Sequence, residues 1–206
     1  GKILLEMNQY DSAPRSYASV AVAKQPESRE DTLERRVEDF RRRALAATLT
    51  ARFLRVADRP ESKFSQGGAG TFQFDKYCDV FIVNTEAPVG GGFDALEEGF
   101  RQLFGAEKIG GQELETAKKK IFENLESEIK AAPTRKSRSL ANDIVSAFSD
   151  GETTTSPEKD LEIAKYALGG FGADDASALL KNIFDNAKIK VFVSDAKPEP
   201  DAASLD

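Results

Sequence analysis

The 206-residue sequence contains no histidine and one cysteine, Cys78. Histidine is the commonest metal ligand and the usual acid or base near neutral pH. The chain alone therefore cannot build a histidine-ligated zinc site, a Ser-His-Asp triad or a Cys-His dyad. A single cysteine also excludes a cysteine-rich zinc site and an internal disulfide. These absences predict that the chain binds, or supports, chemistry whose central residues lie elsewhere.

Excess positive charge and long apolar runs are also missing. The net charge is −6, which disfavours nucleic acid as a partner because phosphate binding requires a basic surface. The short basic runs each adjoin acidic residues, so we interpret them as solvated helix faces. No stretch approaches the roughly 20 apolar residues of a membrane span, and no signal peptide is evident. The composition is compatible with a periplasmic or secreted protein and with a cytoplasmic one.

The first half of the sequence predicts strands around one long helix. Residues 2–7 and 16–24 are strand-like, and residues 71–76 and 77–85 form a second strand pair. Between the two pairs, apolar residues recur every three or four positions over residues 29–58, which predicts a helix of about 45 Å at ~1.5 Å per residue. Residues 65–70 are rich in glycine and are predicted to be a flexible or bulged segment.

The second half is predominantly helical, with a closing strand. Helices are predicted over 93–104, 112–131, 137–148, 161–168 and 173–186, and a short strand over 189–193. Ser156-Pro157-Glu158 is typical of a helix start. This order indicates an α+β fold, with a largely antiparallel sheet and helices packed on one side. We expect one domain over residues 1–195 and a disordered tail over 196–206, which contains two prolines, acids and small residues.

Several stretches, taken in order, resemble a domain of the pitrilysin/insulinase-type (inverzincin) zinc metallopeptidases, which include the mitochondrial processing peptidase. They lie within residues 16–194. The stretches are Thr32-Leu33-Glu34-Arg35-Arg36 leading to Ala51-Arg52-Phe53-Leu54, then Pro60–Ala69, Gln112-Glu113-Leu114-Glu115-Thr116-Ala117-Lys118, Arg138-Ser139-Leu140-Ala141 and Ser156-Pro157-Glu158. Each is weak alone, and their order and spacing carry the resemblance.

The resemblance implies a repeated α+β domain whose paired copies enclose a chamber. In this family the catalytic domain carries H-x-x-E-H, which supplies two zinc ligands and the base. A chain without histidine then corresponds to a non-catalytic domain. It needs no cofactor of its own, zinc is expected in the parent enzyme's catalytic domain, and the expected partners are that catalytic domain and a peptide substrate.

The resemblance also suggests candidate substrate-binding residues. Some domains of the family present an arginine and a tyrosine near the zinc just after the long helix, and Arg59 falls near the arginine position. Phe64 is the nearest aromatic residue and lacks the hydroxyl; the alternative is a surface Arg59 and a core Phe64. Gly67, Gly68 and Gly70 match a glycine-containing strand that pairs with peptide in insulin-degrading relatives. Their alternative is a bulge or a tight loop.

Two functions remain open at this stage. The first is a non-catalytic domain of a zinc-dependent metallopeptidase that forms part of the substrate chamber and anchors peptide. The second is an inactive partner subunit, or a binding scaffold with the same fold. An independent hydrolase is disfavoured because the sequence shows no nucleophile–base set.

Overall fold

The computed structural model describes residues 3–9, 14–25, 30–74, 78–105, 108–185 and 187–196. They form five strands and six α-helices, with one 3-10 turn at Ala132–Thr134. The strands are β1 (Ile3–Gln9), β2 (Ser16–Lys24), β3 (Gln66–Phe74), β4 (Cys78–Ala87) and β5 (Ile189–Asp195). The helices are α1 (Leu33–Ala57), α2 (Gly92–Phe104), α3 (Gly111–Ala131), α4 (Ser137–Asp150), α5 (Pro157–Gly169) and α6 (Ala173–Phe184). The predicted tail lies outside the described residues except for Ala196.

The strands form one mixed sheet in the order β1-β5-β2-β4-β3. Three of its four pairings are antiparallel, and β1 pairs with β5 in parallel. The predicted α+β class is confirmed: the sheet is largely antiparallel and the helices pack on it. Alternate residues of β2 and β4, such as Val20 and Val83, are buried, as expected for a sheet with one face against the core.

Helix α1 is the centre of the core. Thr32 caps its first turn by accepting a hydrogen bond from the Arg35 backbone N–H at 3.3 Å. Small and apolar residues such as Ala44 and Leu49 are fully buried along its length. Because the chain has no tryptophan, phenylalanine supplies the large aromatic contacts. The Phe104 ring packs edge-on against Phe184, with centroids 4.9 Å apart.

The predicted start of α5 is confirmed by local geometry. Ser156 caps α5, accepting from the Lys159 N–H at 3.3 Å, and Pro157 occupies the first helical position. At the end of α4, Gly151 adopts the left-handed conformation at φ 69°.

One sequence expectation is wrong. The segment 65–70 is a regular part of β3 from Gln66 onward, because it pairs residue by residue with β4 and α1 packs against its glycines.

Candidate functional site

Strand β3 forms one edge of the sheet. Within the described residues it pairs only with β4. Gly67, Gly68 and Gly70 all lie in this strand, opposite Thr85, Asn84 and Ile82 of β4. An edge strand presents backbone N–H and C=O groups that another extended chain can pair with. The three predicted glycines thus lie on an edge strand, which is the setting that peptide pairing requires. Peptide binding itself stays a prediction.

Helix packing accounts for glycine at two of these positions. A Cβ placed on Gly67 would lie 2.7 Å from Cδ1 of Phe53 and 3.2 Å from the Asn84 carbonyl oxygen. A Cβ on Gly68 would lie 3.2 Å from the Thr50 hydroxyl. At Gly70 the nearest atom, a methyl of Ile82, is 3.7 Å away, which is ordinary contact. Gly67 and Gly68 therefore allow α1 to approach β3 closely, and Gly70 has no such constraint.

Thr50 of α1 also occupies part of the strand edge. Its hydroxyl accepts a hydrogen bond from the Ala69 N–H at 3.0 Å and donates one to the Ala69 carbonyl at 3.1 Å. The backbone groups of Ala69 therefore point away from β4. Successive residues of an antiparallel strand direct these groups alternately to the two sides, so Thr71 and Gln73 share the outward direction. The part of the edge that a peptide could use without displacing Thr50 begins at Thr71.

The sequence offered no signal for this role of Thr50, since a threonine inside a helix commonly bonds its own helix. Thr48 does so, donating to the Ala44 carbonyl at 2.7 Å.

Arg59 lies in the turn after α1, exposed to solvent. Its backbone N–H donates to the Val56 carbonyl at 3.0 Å. Phe64 is 2% exposed and stacks on Phe53, with ring centroids 5.5 Å apart. The core alternative for Phe64 is therefore confirmed. The chain from 58 to 65 joins the end of α1 to the start of β3, so Arg59 precedes the candidate edge, and its contact with substrate stays a prediction.

The Gln112–Lys118 stretch of the resemblance has a structural role. Glu113 accepts a hydrogen bond from the Gly110 N–H at 3.2 Å, which caps α3. The same carboxylate receives Arg52 Nη2 at 2.8 Å and pairs with Arg55. Arg52 is 5% exposed and also donates to the Lys108 carbonyl at 3.0 Å. Glu113 therefore joins the start of α3 to the buried side of α1.

Asp195, at the end of β5, is a buried carboxylate that sequence reasoning missed. It accepts the Gly90 and Gly92 backbone N–H groups, both at 2.8 Å, and is 4% exposed. These bonds fix the loop before α2, whose first residue has no side-chain cap of its own. No sequence signal identifies such a partner, because it lies at the far end of the chain.

A cavity of about 580 Å³ lies between the first half of α1, the end of α3, α4 and residues 152–157. Its wall contains an ion pair in which Arg36 donates to both carboxylate oxygens of Asp31, at 2.6 and 2.5 Å. Arg36 also bonds Thr155 Oγ1 at 2.9 Å. These contacts fasten the start of α1 to the segment before α5. Both charge signs line the cavity, so it has no bias towards a charged ligand.

The Arg36 guanidinium holds the pKa of Asp31 at about 2, below its usual 3.8, although burial opposes this shift. The ionised pair therefore stabilises the fold fully above about pH 4, and this stabilisation is lost as the pH falls towards 2.

We expect Asp31→Asn to lower the free energy of unfolding near neutral pH, with a difference from the parent that shrinks below pH 4. Urea unfolding across that range measures this. Glu126→Gln, at an exposed site on α3, is the control, and a difference that stays constant down to pH 2 would contradict the assignment.

Among the residues that the structure describes, no three His, Cys, Asp or Glu side chains lie close enough together to hold a metal ion. None of the helices it describes is long and apolar enough to cross a membrane.

The sequence matches no protein-family model and no curated protein. Solved structures do match its fold. The periplasmic protease PqqL from Escherichia coli superposes with a TM-score of 0.83 at 13% identity, over 95% of this chain and 22% of that one. An insulinase family protease from Yersinia pestis gives 0.72 at 15% identity, over 99% of this chain and 44% of that one.

A peptidase M16 inactive domain from Pseudomonas fluorescens gives a TM-score of 0.61 at 11% identity, over 97% of this chain and 45% of that one. The chain spans less than half of each of these three proteins. The resemblance predicted from the sequence is thus confirmed at the level of fold. The chain has the fold of a domain of the insulinase-type (M16) peptidases.

Proposed function

We propose that this chain is a non-catalytic domain of an M16-type zinc peptidase, in which it forms part of the wall of the substrate chamber. The observation that carries the proposal is the combination of a peptidase-domain fold with a sequence that lacks histidine. Because H-x-x-E-H requires two histidines, the zinc and its ligands belong to another domain. That catalytic domain, in the same or a partner chain, is the proposed partner.

Within this function we assign the outer edge of β3 to peptide contact. Pairing at Thr71 and Gln73 would supply backbone hydrogen bonds that are independent of side-chain sequence. Phe72, between them, is 47% exposed and offers an apolar surface beside the edge. Arg59 precedes the strand and adds a positive charge on the approach. This arrangement suits an extended, unfolded peptide rather than a folded protein surface.

Photo-crosslinking tests the assignment in the complete peptidase that contains this domain. We expect p-benzoylphenylalanine at Phe72 to crosslink to a reduced, carboxymethylated substrate protein. The same probe at Tyr166, an aromatic position on α5 that is more exposed than Phe72, at 72%, is the control. Crosslinking at Tyr166 alone, or at neither site while the enzyme is turning over substrate, would refute the assignment.

A second measurement separates the proposal from an independent hydrolase. We expect the purified 206-residue chain to leave casein intact and to bind no zinc in calorimetric titration. Stoichiometric zinc binding or metal-dependent cleavage by the pure chain would overturn the proposal. The alternative of an inactive subunit or scaffold is favoured if the full protein and its co-purifying partners contain no H-x-x-E-H sequence.

A further inference from the structure

Helix α4 has an apolar stripe that faces solvent. Leu140 and Ile144 are 45% and 48% exposed, Val145 is 64% exposed and Phe148 is 85% exposed. Leu140, Ile144 and Phe148 follow one another at four-residue intervals, which places them on one face of the helix. Large apolar side chains exposed singly are ordinary, but a contiguous row of them marks an interaction surface.

Leu140 lies at the border of the stripe, because it also lines the cavity of about 580 Å³ between α4 and residues such as Phe40 on α1 and Leu125 on α3. Ile144, Val145 and Phe148 do not line this cavity. From Ser137 to Ser149 the residues of α4 are exposed, except Ala147, which is half-buried. An isolated helix of 14 residues is of marginal stability in water, so α4 gains from a packing surface outside its own domain.

The charges of α4 indicate what lies against it. Lys136 and Arg138 are exposed at its N-terminal end, and the first turn contains no acid. The last turn contains no basic residue, and the exposed Glu152 follows the helix. This is the reverse of the pattern that complements a helix dipole. The N-terminal end of α4 is therefore basic and has no acidic residue in its first turn, and the C-terminal end is followed by an acidic residue and has no basic one.

We propose that α4 packs antiparallel against α4 of a second copy of this chain, across a two-fold axis near Ile144. In that arrangement Leu140 of each copy lies opposite Phe148 of the other. The basic end of one helix meets the carbonyl end and Glu152 of the other, so charges and dipoles are both complemented. Lys136 and Glu152 lie equally far from Ile144 along the chain, which matches this register.

The size of the surface sets the strength of the pairing. Two helices of this length bury on the order of 1,000 Å² in total, at the low end for specific interfaces. The dimer is therefore reversible and dissociates on dilution. A membrane surface fits less well, because the polar side of α4 consists mostly of serine and asparagine rather than the lysine and arginine typical of interfacial helices.

Sedimentation velocity on the full chain, over a range from low to high micromolar, tests the apolar contact. We expect a monomer–dimer equilibrium whose Kd rises about tenfold or more in Phe148→Ser. Tyr166→Ser removes another exposed aromatic side chain, 72% exposed on α5, and should leave the Kd unchanged. Circular dichroism confirms that each variant is folded.

A chain that stays monomeric at every concentration overturns the proposal. Binding of that monomer to phosphatidylserine vesicles would assign the stripe to a membrane instead.

Charge reversal tests the antiparallel register. Lys136→Glu alone and Glu152→Lys alone should each weaken the dimer, since each brings like charges together at both ends of the symmetric interface. The double variant should restore it. Added salt should weaken the parent dimer moderately. A dimer that is insensitive to both single reversals would contradict the antiparallel arrangement.

Discussion

Replacing Gly67 by alanine is expected to destabilise the chain by about 1–3 kcal/mol, the usual cost of overpacking a filled core. The new methyl group would lie 2.7 Å from Cδ1 of Phe53. Phe53 is fully buried and stacked on Phe64, so its ring cannot move aside without disturbing a second ring. On the other side, the Asn84 carbonyl belongs to the strand paired with β3. The clash can be relieved only by moving α1 away from the sheet.

Gly70→Ala is the matched control, in the same strand and with the same change. Its Cβ would meet a methyl of Ile82 at 3.7 Å, and a less flexible unfolded chain favours alanine by about 0.4–1 kcal/mol. We therefore expect Gly70→Ala to be neutral or stabilising. Urea unfolding of the two variants and the parent measures the difference. Equal effects at both positions would mean that α1 does not press on β3 at Gly67.

These two glycines also show what the sequence could and could not predict. Helices and their ends were predictable where the signal is local: the spacing of apolar residues along α1, or Ser156 before Pro157. The strand at 66–70 was not, because glycine has little strand preference of its own. This segment is a strand because it pairs with β4 and packs against α1, and both sets of contacts join residues that are brought together only by folding.

The candidate site, too, could be predicted only in part from the sequence. The glycines could be identified from the sequence as a possible edge strand. They follow the long helix, at the place where the resembling family has its glycine-containing strand. The hydroxyl of Thr50 at the Ala69 backbone could not, because nothing in the helix sequence distinguishes it from Thr48. The parallel pairing of β1 with β5 was equally hidden, since it joins the two ends of the described chain.

Glu113→Ala is expected to have the largest effect, a loss of about 3–5 kcal/mol in the free energy of unfolding, as for removal of one partner of a buried ion pair. The substitution leaves the guanidinium of Arg52 among backbone carbonyls without its carboxylate. It also removes the cap of α3 at Gly110, worth about 1 kcal/mol at comparable positions. The neighbouring Arg55 loses a partner too, but it is mostly exposed and water replaces the contact.

Glu123→Ala provides the comparison, since Glu123 lies ten residues further along the same helix and also forms an ion pair, with Lys119 at 3.7 Å. The two side chains are 60% and 78% exposed, and exposed pairs contribute only about 0–1 kcal/mol. Urea unfolding monitored by circular dichroism should therefore place Glu123→Ala near the parent and Glu113→Ala far below it. If the two variants were equally stable, Glu113 would not be the link between α3 and α1. The resemblance of residues 112–118 to the peptidase family would then need a structural explanation other than this link. A large difference means that Glu113 in this family-like stretch joins the start of α3 to α1.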